Sequence, residues 1–400
     1  MGGDNNMVLT AIFSDIHSCP AALEQVLSLA RKSGVERFVS LGDIPGYGPD
    51  LFGCLEILEG RFYEKKTDKQ GNASYVLVPN RYLLLGNHCN WLLNGNIHTP
   101  KVSPYARESI MYAWKQIGVD KPAPPGEAKK ILDSIRSGVN LPKISRWRRF
   151  KDWVYGRSGR LSGREVAEVR KNMSLEDRAK DKEAEELEEQ EKKFKPYYDF
   201  FTLLKQELSL NDNEKLMFAH AFPPSMAEYA DQLGITKEAI DDLEVYVVKR
   251  DEWKDGLNRA YGLDDRAIGR LDAYVKNKSA DKLDLGLEDD KKTQDIIAKR
   301  RTTAMAEEVV ELLPEGFTLF LGHTHTAFYV DGSEGRRIIN PGAVFNPRAK
   351  QEDEDFARFV LYDSTKPDNV VFSKIRYNRK KVNEEIRKTD LARFLTEDGN

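Results

Sequence analysis

Scarcity narrows this 400-residue sequence first. It has three cysteines, Cys19, Cys54 and Cys89, too few for a disulfide framework and with no CxxC pair, which favours a reducing compartment. No segment approaches the ~20 apolar residues of a membrane-spanning helix. The N-terminus MGGDNNMVLTAIF has no basic stretch ahead of a long apolar run. The expectation is a soluble cytoplasmic protein with no membrane partner. Charge of one sign is also missing: 62 Lys and Arg stand against 65 Asp and Glu, a net charge of −3. Electrostatic recognition must therefore come from local blocks rather than a field over the whole molecule. Histidine is scarce too, at six residues, and two of them are spent one residue apart in LGHTHTAF.

What is present is a core-forming pattern, with 40% hydrophobic and 10% aromatic residues. VLTAIF (8–13) reads as a buried strand and AALEQVLSLARKSG (21–34) as an amphipathic helix closed by Gly34. RFVSL (37–41) and RYLLL (81–85) read as further strands. This βαβ rhythm predicts an α/β sheet with loops at the strands' C-terminal ends. Later strands are predicted at 215–219, 318–321, 328–330, 336–340, 358–363 and 370–378. Their close spacing predicts hairpins and a second, more antiparallel sheet packed on the first.

Two long stretches interrupt the rhythm, residues 119–196 and 233–304, both helical in pattern and highly charged. They read as insertions between core strands that could form a lid or cap. Within the first, residues 143–171 carry ten Lys and Arg against three Asp and Glu, with Trp147, Phe150, Trp153 and Tyr155 interleaved. One reading is contact with a nucleotide or nucleic acid, since cations meet phosphates and aromatics stack on bases. The plainer reading is an amphipathic helix that buries its aromatics. Residues 176–195 read as a solvated mixed-charge helix with i,i+4 pairs and no chemistry.

The histidines carry the functional signal. His17 lies two residues after Asp15, past the first strand, and His88 sits beside Asn87 past the strand at 81–85. His220 follows the strand at 215–219. His323 and His325 follow 318–321, where Gly322 can bend the chain so that both aim at one point. Asp43 leaves the strand at 37–41 beside Gly42. Only His98, in a polar loop, falls outside the pattern. Ligands at the ends of strands in one sheet converge in space. Imidazoles with carboxylates suit Mn, Fe, Zn or Ni better than Mg or Ca. Seven such ligands exceed one tetrahedral site, so two divalent transition-metal ions sharing a carboxylate fit better. Such a pair activates a water and stabilises in-line displacement at phosphorus.

The ordered series Asp15-Ile16-His17, Gly42-Asp43, Gly86-Asn87-His88, His220 and Gly322-His323-Thr324-His325 resembles the calcineurin-like metallophosphoesterase family. GDIPGYGPD, YARESIMYAWKQIG (105–118) and IINPGAVFNPR (338–348) resemble its compact bacterial and archaeal phosphodiesterase branch. The resemblance covers roughly 7–118, 197–232 and 305–392, and leaves out both insertions. It implies a four-layer αββα sandwich with a dimetal centre, Mn foremost and Fe, Zn or Ni as alternatives. By position, Asp15, His17 and His325 would hold one ion, and Asn87, His220 and His323 the other, with Asp43 bridging. His88 would donate a proton to the leaving oxygen or steady the phosphoryl charge.

Two positions depart from the family pattern. Cys89 stands where an acidic residue usually follows the histidine, and Ala221 stands where glycine usually follows His220. Cys89 and Cys19 both follow motif loops; two buried neutral thiols are expected rather than a redox pair. The reaction implied is hydrolysis of a phosphate ester, as phosphatase or phosphodiesterase, by a hydroxide held between the metals. Arg348 is a candidate contact for substrate phosphate or a partner in a structural ion pair. The competing class is a non-enzymatic binding scaffold that uses the insertions as a partner surface.

Overall fold

A computed structural model of the protein describes residues 8–67, 73–99, 102–120, 175–210, 214–221, 266, 310–311, 313–347, 355–366 and 368–395. The chain forms two compact units, one of residues 1–116 with 199–400 and one of residues 117–198.

The first unit holds two five-stranded sheets. Its strands are β1 (Leu9–Phe13), β2 (Arg37–Ser40), β3 (Tyr63–Thr67), β4 (Ala73–Leu77), β5 (Arg81–Leu83), β6 (Glu207–Leu210), β7 (Leu216–Ala219), β8 (Thr318–Leu321), β9 (Ala327–Asp331), β10 (Arg337–Pro341), β11 (Phe356–Asp363) and β12 (Val370–Arg376). The first sheet runs β12-β11-β1-β2-β5, and the second runs β6-β7-β8-β10-β9. β3 and β4 pair separately as a hairpin, Tyr63 opposite Leu77.

The sheets pack face to face. Ile12, Val39, Leu84, Val360 and Tyr362 of the first share a buried cluster with Leu216, Phe218, Phe320 and Ile339 of the second. β1 is central and buried on both faces, which is why its residues read as a continuous apolar run rather than an alternating one. The helix α1 (Pro20–Lys32) buries Ala22, Leu23, Val26, Leu27 and Ala30 and packs on β11, β12 and α2 (Leu51–Leu58). Pro20 starts α1 where its missing N–H costs nothing, and Gly34, at φ 76°, follows its end. The outer face of the second sheet buries Met217, Leu319, Phe328 and Ile338 against Val310 and Leu313. Strand exits and connections are completed by α3 (Asn87–Asn94) and α4 (Pro104–Ile117). An ion pair, Arg37 to Glu214 at 2.5 and 2.8 Å, ties the start of β2 to the segment entering β7.

Every strand expected from the sequence is present, and the fold is α/β. The expected division of strands needs correction. β11 and β12 join the first sheet, with β11 antiparallel to β1, instead of extending the second. Each sheet has two parallel and two antiparallel pairings, so neither is the more antiparallel one. Closeness in sequence suggested hairpins, and β9–β10 and β11–β12 do pair that way, but β11 also pairs with β1, which places the last hairpin in the first sheet.

The second unit contributes most of α5 (Leu175–Phe201), a mixed-charge helix with the expected i,i+4 pairs Glu188–Lys192 and Glu189–Lys193. Residues 143–171, the insertion 233–304 apart from Arg266, any cap they form, and Arg348 lie outside the described residues. The chain ends with α6 (Arg379–Ile386) and a short 3-10 turn, Ala392–Phe394. Among the described residues no helix is long and apolar enough to cross a membrane.

Candidate metal centre

β1, β2, β5, β7 and β8 all deliver polar residues from their C-terminal ends. The loops after β1 and β2 stay laced together once the strands end. Asp15 N–H donates to Gly42 O (3.1 Å), His17 N–H to Asp43 O (2.9 Å) and Ser18 N–H to Ile44 O (2.8 Å). Gly322 N–H donates to His220 O at 2.9 Å, locking the exits of β7 and β8 in the same way.

This lacing requires unusual backbone. Asp15 (φ 56°), His17 (48°), Asp43 (52°), His323 (70°) and His325 (59°) are all left-handed, a conformation that costs a non-glycine residue energy. Strain of this kind persists where the surrounding structure over-determines it and tends to mark working sites. Close approach also needs glycine here. A Cβ on Gly86 would lie 2.0 Å from Asp43 Oδ1, and one on Gly322 would lie 1.9 Å from Ser14 Oγ.

The side chains converge in two groups. In the first, His17 Nε2 lies 2.8 Å from His325 Nε2, with Asp15 Oδ1 3.7 Å and 3.4 Å from these nitrogens. A point equidistant from the three atoms lies about 1.9 Å from each, close to the ~2.0–2.1 Å of an imidazole–metal bond. In the second, Asn87 Oδ1 lies 2.9 Å from His220 Nε2 and 2.8 Å from His323 Nδ1, and Asp43 Oδ2 is 3.1 Å from His220 Nε2. Two donors ~2.1 Å from one ion at a right angle would sit about 3.0 Å apart, so this spacing fits as well. The groups adjoin, since His220 Nε2 is 4.0 Å from Asp15 Oδ1. Asp43 and His88 also fall within 4.8 Å of His17, so Asp43 borders both groups.

The pocket is buried, and hydrogen bonds from the surrounding chain hold its side chains in place. Asp15 Oδ1 is fully buried and, among the described residues, has no hydrogen-bond partner, a condition that a bound cation relieves. His17 Nδ1–H donates to Pro45 O at 3.1 Å, which leaves Nε2 free as a ligand atom. Asp43 Oδ1 accepts from His88 N–H at 2.7 Å, capping α3, whose own N-cap is Gly86 and has no side chain to offer. Asn340, buried in β10, donates from Nδ2 to Gly322 O (2.7 Å) and accepts at Oδ1 from Gly342 N–H, steadying the His323–His325 loop.

Electrostatics suit cation binding. Burial opposes ionisation of Asp15, yet His325, His220 and His17 hold its carboxyl well below the usual range. Asp43 is likewise held low against burial by His220, His88 and His17. Burial keeps His17 well below its ordinary value and brings His88 and His323 down to about 4, so these rings are neutral near pH 7, the form that ligates metals. His220 goes the other way. Burial disfavours its charge, but the Asp43 carboxylate, with Asp15 behind it, raises it to about 9. All three thiols are buried and free, with Cys19 and Cys89 pushed up to about 12 by burial and Cys54 well above its usual value.

All seven sequence-predicted ligands and His88 are thus brought to one pocket, while His98 is exposed and elsewhere. Two further residues escaped the sequence reading. Tyr47, buried and at φ 51°, packs its ring 4.6 Å from His17 and 4.7 Å from His88. Its placement among Gly46, Gly48 and Pro49 is the signal that could have found it. Asn340, a lone polar residue at the end of an apolar strand run, is the other.

No protein-family model matches the chain, and no curated protein matches it. Among solved structures it is similar to a metallophosphoesterase from Sphaerobacter thermophilus, at 17% identity and TM-score 0.39 over 98% of each chain. It is also similar to a hypothetical protein from Pyrococcus horikoshii OT3, at 12% identity and TM-score 0.44 over 98% of this chain and 100% of that one. A third is a candidate diadenosine tetraphosphatase, at 12% identity and TM-score 0.34 over 94% and 96%. At such identities and TM-scores the likeness carries no argument about activity, which comes from the strand-end geometry instead.

Proposed function

We propose that the protein is a cytoplasmic metal-dependent phosphoesterase, hydrolysing a phosphate ester where β1, β2, β5, β7 and β8 converge. The observation that supports it best is the pair of adjoining donor groups, Asp15–His17–His325 and Asp43–Asn87–His220–His323, in one buried pocket. Two divalent ions there, Mn foremost and Fe, Zn or Ni as alternatives, would supply a water of lowered pKa and an electrophilic clamp on the phosphoryl oxygens.

The chain's own residues prepare that chemistry. Asp43 turns one carboxylate oxygen to the start of α3 and the other to His220, so its orientation is set in advance. Asn87 contributes a neutral oxygen between His220 and His323, which limits the negative charge of the pocket. Burial of Asp15, His17 and Asp43 excludes bulk water and strengthens each electrostatic contact. His88 is neutral near pH 7 and would donate an N–H hydrogen bond toward the leaving oxygen; it would pass a proton on only after taking one up from water as substrate brings negative charge beside it. The core that carries this site is taken as 7–118, 197–232 and 305–392, with 119–196 and 233–304 as insertions that select the substrate.

The test is an activity screen of Mn-reconstituted protein across phosphomonoesters, cyclic nucleotides, oligonucleotide ends, dinucleoside polyphosphates and phosphoproteins, with Asp43→Asn as control. Turnover of one class, abolished by Asp43→Asn, supports the reading. Full metal content without turnover of any class would leave the binding-scaffold reading in its place.

A further inference from the structure

The imidazole of His88 has no conventional orienting partner. Its Nδ1 is buried and, among the described residues, makes no hydrogen bond. The residue that follows it, Cys89, is fully buried, and its thiol meets the backbone of Gly86, Ile44 and Asp43. Gly46 lies directly against Nδ1, where it has no side chain to crowd the ring. A Cβ built on Gly46 would stand 2.3 Å from Nδ1.

Aromatic rings occupy the space around the imidazole instead. Tyr47 lies 4.7 Å away at 53°, Trp91 4.7 Å away at 49°, and His17 4.8 Å away at 67°, measured between ring centroids and planes. Trp91 sits three residues after His88 on α3, the spacing that brings side chains together on one helix face. Tyr47 is fixed from behind. Tyr105 Oη donates to Tyr47 O at 3.2 Å, and the Tyr105 ring packs 4.9 Å from the Tyr47 ring. Tyr105 in turn stacks on Phe394 at 4.6 Å and 12°, and the turn bearing Phe394 is pinned to α4 by Arg393–Glu108 and Asp390–Lys115. A ring held between rings keeps its χ angles by packing, since each neighbour would have to move for it to rotate.

We propose that Tyr47 and Trp91 are positioning residues for His88, forming an aromatic clamp that does here what an acidic neighbour would do by hydrogen bonding. This rests on the reading of His88 as the group that serves the leaving oxygen. The clamp fixes ring direction by packing, without placing a further charged group beside the ring. It also links the turn at Ala392–Phe394 to the centre through Tyr105.

The experiment crosses Trp91→Leu and Trp91→Phe with His88→Ala in the Mn-loaded full chain. Trp91 is chosen first because, among the described residues, His88 is its ring partner in the site, whereas Tyr47 also touches the candidate ligand His17. Trp91→Leu is expected to lower kcat for an alkyl phosphate ester by about tenfold or more with KM and Mn content unchanged, because small misplacements of a reacting group carry costs of that size. Trp91→Phe should recover most of the loss. In the His88→Ala background, Trp91→Leu should cost nothing further, since the residue through which it acts is gone. Tyr47→Leu and Tyr47→Phe should repeat the pattern.

A second readout does not depend on turnover. In Zn-loaded protein labelled with 13C at the histidine rings, the His88 resonance is identified by its loss in His88→Ala and followed in each variant. The clamp predicts that Trp91→Leu shifts and broadens this resonance alone among the six. Equal losses from Trp91→Leu with and without His88, or an unmoved His88 resonance, overturn the clamp. If His88→Ala costs no turnover while the resonance still moves, the clamp stands and the assigned role of His88 falls instead.

Discussion

Loading the Asn87–His220–His323 group with metal should expel a proton from His220, and the size of that effect follows from its surroundings. His220 is buried beside Asp43 Oδ2 at 3.1 Å, and the carboxylate raises the imidazole to about 9 against the opposing effect of burial. At pH 7 the metal-free ring is therefore almost fully protonated at or near the atom a metal would take. Displacing that proton weakens metal binding at pH 7 by about a hundredfold relative to pH 9, or roughly 3 kcal/mol at 1.36 kcal/mol per pH unit. His17, in the other group, is already neutral and carries no such penalty. The expected outcome is that one of two Mn affinities tightens about tenfold per pH unit from 7 to 9 and levels off above. Calorimetric titration in buffers of different ionisation enthalpy should show close to one proton released from this residue. The metal-stripped protein shares the linkage. His220 is raised on folding, so its pairing with Asp43 stabilises fully below the unfolded histidine value of ~6.5 and is lost as pH rises through about 9. Its urea stability should fall across that window, and metal should remove the dependence. Pathways without proton release, together with pH-independent Mn affinity from 7 to 9, would refute the assignment of a charged His220 held by Asp43.

Other outcomes follow from single contacts. His88→Ala should leave metal content nearly intact while lowering turnover far more for alkyl than for nitrophenyl leaving groups, within the ~10²–10⁴-fold typical of proton-donor help. Steady-state kinetics on both substrates check this, and equal losses would leave charge stabilisation as its role. Gly322→Ala would press a methyl against Ser14 Oγ at 1.9 Å and should destabilise by about 1–3 kcal/mol while reducing Mn uptake, as read by denaturation and elemental analysis. Arg37→Ala strands Glu214, which accepts both of the guanidinium's bonds, and should cost about 2 kcal/mol in urea unfolding without changing metal content.

Much of this architecture could be read from the sequence because burial wrote it plainly. β2, β7 and β8 are buried throughout and β1 at all but Leu9, so apolar residues mark these strands, with the ligands shortly after them. The hairpin β3–β4 did not appear, because YEKKT is charged and mostly solvent-facing and gives no apolar signal. Pairing was less legible than existence: nothing local to 356–376 says that β11 meets β1 rather than β10. In the site, histidines at strand exits were legible from position, but Tyr47 and Asn340 were not. Their roles depend on what lies across the fold from them, His88 for one and the Gly322 carbonyl for the other. Cys89 illustrates the converse. As a departure from the family pattern it drew notice in the sequence, yet its thiol meets the backbone of Gly86, Ile44 and Asp43, and it is Trp91 that packs on the His88 ring.

Counting metal is the most direct test of the dimetal centre. Protein stripped with chelator, reconstituted with Mn²⁺ and freed of excess ion should carry two ions per chain by elemental analysis, in the same preparation that turns over substrate. Active protein holding one ion or none would contradict the centre described for Asp15, His17, Asp43, Asn87, His220, His323 and His325.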